Sequence, residues 1–119
     1  MNKYLTEFIG TFFLVLAIGM AVIDPGAGNL APLAIGATLM VMVFAGGHVS
    51  GAHYNPAVTL AVWLRGRCAA KDIPGYIIAQ ILAAIGAAKL ALVLKGCPTI
   101  TAITPNVSHA LIAEFVGTF

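Results

Sequence analysis

His48, Ser50, His53 and Asn55 fall within eight positions, directly before Pro56, in the stretch GGHVSGAHYNPAVTLAVWLRG. They interrupt a long uncharged run: from Pro25 to Leu64 there is no Asp, Glu, Lys or Arg. These residue types do not suit covalent catalysis. There is no Ser-His-Asp set, HExxH motif or phosphate-binding loop, and the histidines lack a nucleophile to activate. Cys68 and Cys97 share no recurring ligand spacing with His48, His53 or His109, so neither a metal nor a cofactor is expected. What remains is hydrogen bonding. An asparagine amide, an imidazole and a glycine-rich backbone can exchange hydrogen bonds with a neutral, polar solute.

The rest of the chain explains how such groups must be held. Of its 119 residues 61% are hydrophobic and 8% charged, against roughly a quarter charged in soluble domains. The mean hydropathy is +1.01. Too little polar surface is left to coat a globule, and a bilayer is the natural solvent. A formal charge of +2 gives no reason to expect a nucleic-acid partner. The spacing predicts membrane spans at about 4–23, 30–47 and 74–94, read as helices because lipid leaves unpaired backbone groups unsatisfied. The first is read as a retained helix rather than a cleaved leader. A further apolar segment begins near Ser108.

Lys3 precedes the first span, and Arg65, Arg67 and Lys71 precede the third, while Lys95 alone marks the other side. The positive-inside rule then places the N-terminus and the 65–71 segment in the cytoplasm. On that topology Cys68 and Cys97 lie on opposite sides and form no intrachain disulfide. The segment 48–66 must begin and end on one side although it is apolar, which predicts a re-entrant loop.

Its residues suit that path. Gly46-Gly47 and Ser50-Gly51 favour turns over helix. Asn55 is a good N-cap and Pro56 fits the first helical position. A helix from Pro56 to about Leu64 or Gly66 would be roughly 15 Å long, half the ~30 Å hydrocarbon core. Carbonyls of Gly51, Ala52, His53 and Tyr54 would form a ladder of acceptors, tolerated at depth only if buried in protein or facing water. Asn55 would offer amide donors beside the positive end of the helix dipole, which disfavours cations. A simple Asn-Pro kink in an interfacial helix is the alternative, and the span lengths and charge placement weigh against it.

The pattern Gly47-His48-Val49-Ser50-Gly51-Ala52-His53-Tyr54-Asn55-Pro56-Ala57-Val58-Thr59 resembles the aquaporin, or major intrinsic protein, family. Glu7-Phe8-Ile9-Gly10-Thr11-Phe12, Gly75-Tyr76 and Ala79-Gln80 extend the likeness. The resemblance covers essentially the whole chain but only the first half of a family member. It implies a channel for water or a small neutral solute, with glycerol or another polyol as the alternative cargo, and aquaporin-type selectivity is itself a described case of pore-lining dipoles. Asn55 would be the central donor. Pro56 and Ala57 would join the half-helix tip to its counterpart. Gly51, Ala52 and His53 would present carbonyls, and His48 would border the inner vestibule. Glu7 and Gln80 would brace the loop. Ile35, just before Gly36, falls at a filter position where the family usually carries an aromatic or a histidine. Lys89 also departs from the family, which has a small residue there, and could snorkel toward the outer surface.

Residues 5–12 and 112–119 share Glu, Phe, Gly, Thr and Phe at corresponding positions. Three crossings separate the two copies, so the second starts on the opposite side, as in an inverted repeat. Glu114 then corresponds to Glu7. The expected fold is an all-α membrane protein, an aquaporin-like half-bundle. It has a first repeat at 1–107, with three full spans and a re-entrant half-helix, and the start of a second at 108–119. A second Asn-Pro-Ala would lie beyond Phe119, so the chain reads as part of a longer protein or as one of two pairing copies. The resemblance implies a plasma-membrane homotetramer once the chain is completed. The competing class is a non-conducting fragment or structural membrane subunit. The sequon Asn106-Val107-Ser108 abuts the last segment and is not expected to be used.

Overall fold

The computed structural model describes residues 2–100 and 104–118. They form five α-helices: α1 (Lys3–Val22), α2 (Ala31–Ser50), α3 (Pro56–Leu64), α4 (Ile73–Leu94) and α5 (Val107–Thr118). Single 3-10 turns at Gly28–Leu30 and Ala70–Asp72 lead into α2 and α4. Three stretches are long and apolar enough to cross a bilayer: Lys3–Val22, Gly28–Ser50 and Ala70–Leu94. The protein is an all-α membrane protein, and among the described residues there is no strand.

α1 is the central element and packs against both α2 and α4. In lipid no hydrophobic force separates helix from solvent, so close packing of small residues has to hold the bundle. Ala83, Ala87 and Ala91 recur every fourth residue on α4 and are wholly buried. A Cβ on Gly19 of α1 would lie 2.6 Å from the Ala91 Cβ, so the two helices meet nearly backbone to backbone. At the other end the Tyr4 ring lies against Gly75, and Tyr4 Oη donates to Asp72 Oδ1 at 3.0 Å. Lys3 pairs with the other carboxylate oxygen at 2.6 Å. Together these bonds pin the start of α1 to the start of α4.

α2 is mostly exposed and turns large apolar side chains outward, including Leu33, Met40 and Phe44. It runs to Ser50, three residues beyond the 30–47 expected from its glycines. Gly46 does not break the helix. It is buried, and it makes room for the Tyr54 ring and Thr6. The turn is made instead by Gly51, at φ +88.

α3 has nine residues, about 14 Å of helix. It packs on α4, where Thr59 in its first turn meets Gln80, and its C-terminal end lies toward the face that carries Asp72. Asn106 Oδ1 accepts from His109 N at the start of α5. Phe119, the last residue of the repeated motif, lies outside the described residues. Cys68 and Cys97 are free thiols at opposite ends of α4, separated by about 33 Å of helix.

Candidate functional site

The chain between α2 and α3 adopts a conformation that side chains resist. Gly51, Ala52 and Tyr54 all have positive φ, at +88, +52 and +51. Left-handed backbone costs a non-glycine residue about 1–2 kcal/mol, so the surroundings must impose it. The Glu7 carboxylate on α1 does so. Its Oε1 accepts from Ser50 Oγ at 2.7 Å and from His53 N at 2.9 Å. Its Oε2 accepts from Tyr54 N at 2.7 Å and from Gln80 Nε2 at 2.9 Å. Glu7 is wholly buried. A buried carboxylate is costly unless its lone pairs are filled, and here four donors fill them.

Gln80 on α4 carries the network across to α3. Its Nε2 also donates to Thr59 Oγ1 at 3.0 Å, and Thr59 Oγ1 donates to Asn55 O at 3.1 Å. With the hydroxyl proton committed to Asn55, the contact from His53 Nδ1 to Thr59 Oγ1 (3.2 Å) must be donated by the imidazole. This assigns the proton to Nδ1 on network grounds. The His53 ring is buried against Tyr76, with centroids 4.9 Å apart, and Tyr76 Oη donates to Ser50 O at 2.7 Å. Gln80 Oε1 has no partner among the described residues.

The same constraints orient Asn55. Its Oδ1 accepts from Ala57 N at 2.7 Å, capping α3. The amide nitrogen therefore points away from the helix, on an exposed residue. Among the described residues no hydrogen bond is donated to the carbonyls of Gly51, Ala52, His53 or Tyr54. The loop thus combines open acceptors, a fixed amide donor and the positive end of a short helix, and among the described residues no cluster of metal-ligand side chains occurs.

The structure brings Gly51, Ala52, His53, Asn55, Pro56 and Ala57 together with Glu7 and Gln80 in this one assembly. Gly51, Asn55 and Ala57 are exposed, Ala52 and Pro56 half-buried. His48 is exposed in the last turn of α2. Ile35 lies about three and a half turns earlier on α2 and is half-exposed, and a Cβ at the adjacent Gly36 would meet nothing within 4 Å. Glu114 lies on α5 and is exposed. Sequence reasoning missed the side-chain roles of Tyr54, Thr59 and Tyr76. Thr59 follows Asn55 by one helical turn, a spacing that could have signalled its bond to the Asn55 carbonyl.

The major intrinsic protein profile matches residues 1–119. This chain belongs to the major intrinsic protein family. Among curated members of the family, it is similar to aquaporin Z of Rhodopseudomonas palustris, 49% identical over 96 residues, which is 75% of this chain and 40% of the relative. It is also 49% identical over 86 residues to glycerol uptake facilitator protein-like 6 of Lactiplantibacillus plantarum, covering 71% of this chain and 40% of that one. Aquaporin NIP1-4 of Oryza sativa subsp. japonica is 40% identical across all of this chain and 47% of its own length. The chain therefore spans less than half the length of these major intrinsic proteins.

Proposed function

We propose that the chain supplies one half of a transmembrane channel for water or small neutral solutes. The observation that carries this reading is the Glu7 carboxylate. By holding the amides of His53 and Tyr54 it leaves the loop carbonyls unpaired beside the exposed Asn55. Backbone of this kind is tolerated at membrane depth where it lines a watery path. A permeating molecule would accept from Asn55 and donate to the carbonyls of Gly51, Ala52 and His53. Pro56 and Ala57 would meet the tip of a second half-helix, and Ile35 and His48 would border the path at its two ends. The positive end of α3 would discourage cations. The names of the relatives support both water and glycerol as cargo. The same reading places the N-terminus in the cytoplasm, the chain in the plasma membrane, and a completed protein in a homotetramer. It requires no enzyme chemistry.

The alternative reading is a subunit that does not conduct by itself; the chain spans less than half the length of the relatives it matches. Stopped-flow swelling of proteoliposomes decides between them, using this chain alone and this chain continued by a second repeat with its own Asn-Pro-Ala. The continued form should raise water or glycerol permeability, and Asn55→Asp should lower it severalfold or admit cations. Permeability equal to protein-free liposomes in both forms sinks the channel reading. An unaffected Asn55→Asp removes that residue from the path.

A further inference from the structure

The channel reading gives no task to Lys89, a charge inside a membrane-spanning helix. Lys89 sits on α4, five residues before its end at Leu94, about 7.5 Å inside the helix terminus. It is exposed, and among the described residues it makes no hydrogen bond or ion pair. Lys95, at the same end, is occupied by the Pro25 carbonyl, and no ion pair joins Lys89 to Asp24 in the neighbouring turn. A cation at this depth is costly unless it reaches a partner. Its neighbours one turn away, Ile85 and Val93, are exposed and apolar. Beside it Ala88 and Leu92 form one wall of a groove of about 280 Å³, closed on the α1 side by Ile18 and Val22 and at the end by Ile100.

We propose that Lys89 and this groove bind one anionic phospholipid. The lysine extends along the helix to the headgroup phosphate, and an acyl chain lies in the groove. The pairing of an unmatched cation with an adjoining apolar trough calls for an amphiphile, with its phosphate toward the interface and its hydrocarbon below. The groove lies between α1 and α4 near their C-terminal ends, shares no residue with the 51–55 loop, and does not depend on conduction.

The test is native mass spectrometry of the purified protein in detergent, titrated with phosphatidylglycerol or phosphatidylcholine. Phosphatidylglycerol should be retained preferentially, with about fivefold weaker retention in Lys89→Gln and none of that loss in Lys89→Arg. Ala88→Phe, which fills the groove and spares the charge, should weaken retention as well. Equal retention of the two lipids overturns the proposal, as does equal phosphatidylglycerol retention by wild type and Lys89→Gln. Cross-linked copies that Lys89→Gln abolishes without altering lipid retention would assign the lysine to a protein contact instead.

Discussion

The Tyr54 ring occupies the space a side chain at Gly10 would need: an added Cβ would come within 2.0 Å of Tyr54 Cε1. The same ring presses on Gly46, and its hydroxyl donates to Met42 O at 2.8 Å. Tyr54 is thus a wedge between α1 and α2, seated by two glycines. Gly10→Ala should destabilise the fold by about 1–3 kcal/mol through overpacking. The cost should shrink when Tyr54→Leu is made in the same chain. Unfolding in mixed micelles with increasing dodecyl sulfate measures both, and additive effects of the two substitutions would show that the wedge is not what Gly10 accommodates.

Glu7→Gln keeps size and removes an acceptor. All four groups around the carboxylate donate, so an amide NH2 would face donors wherever it turns. Loss of the buried hydrogen bonds should cost about 1–3 kcal/mol and free the 51–54 loop. Limited proteolysis and the same micelle titration would register it, and a variant as stable and as resistant as the parent would mean that the carboxylate does not hold the loop.

Much of this fold is legible from residue types. Lys3 lies at the same end of the bundle as the turn before α4, and span lengths and the Asn55-Pro56 helix start follow from local chemistry. The path of the glycines did not. Gly46 looks like a helix breaker and is a notch for Tyr54, a role set by a residue eight positions on and a helix thirty-six positions earlier. Likewise Gln80 reads as one polar residue in an apolar span. Only the fold shows its nitrogen shared between Glu7 and Thr59. Contacts distant in sequence leave no periodic trace.

Ile35→Trp tests the proposed constriction. In the chain continued by a second repeat, the larger ring should slow glycerol more than water in swelling assays. Rates that change for neither solute take Ile35 out of the path.

Cys68 lies in the turn before α4. Burial, then the Asp72 charge, push its thiol above the ordinary value. A raised pKa means less thiolate at neutral pH, so alkylation in a Cys97→Ser variant should be slow near pH 7 and climb as pH rises past the usual thiol range. A rate already level at pH 8 contradicts that shift.

Glu7 and Gln80 are separated by 73 positions, and the segment they shape lies between them. A ribosome releasing this chain must therefore deliver Gln80 before the bonds around Tyr54 and Thr59 can all close. The middle of the chain waits for what is translated after it. Glu7 can take the Ser50, His53 and Tyr54 bonds as soon as those residues emerge, but the share held by Gln80 comes only with α4.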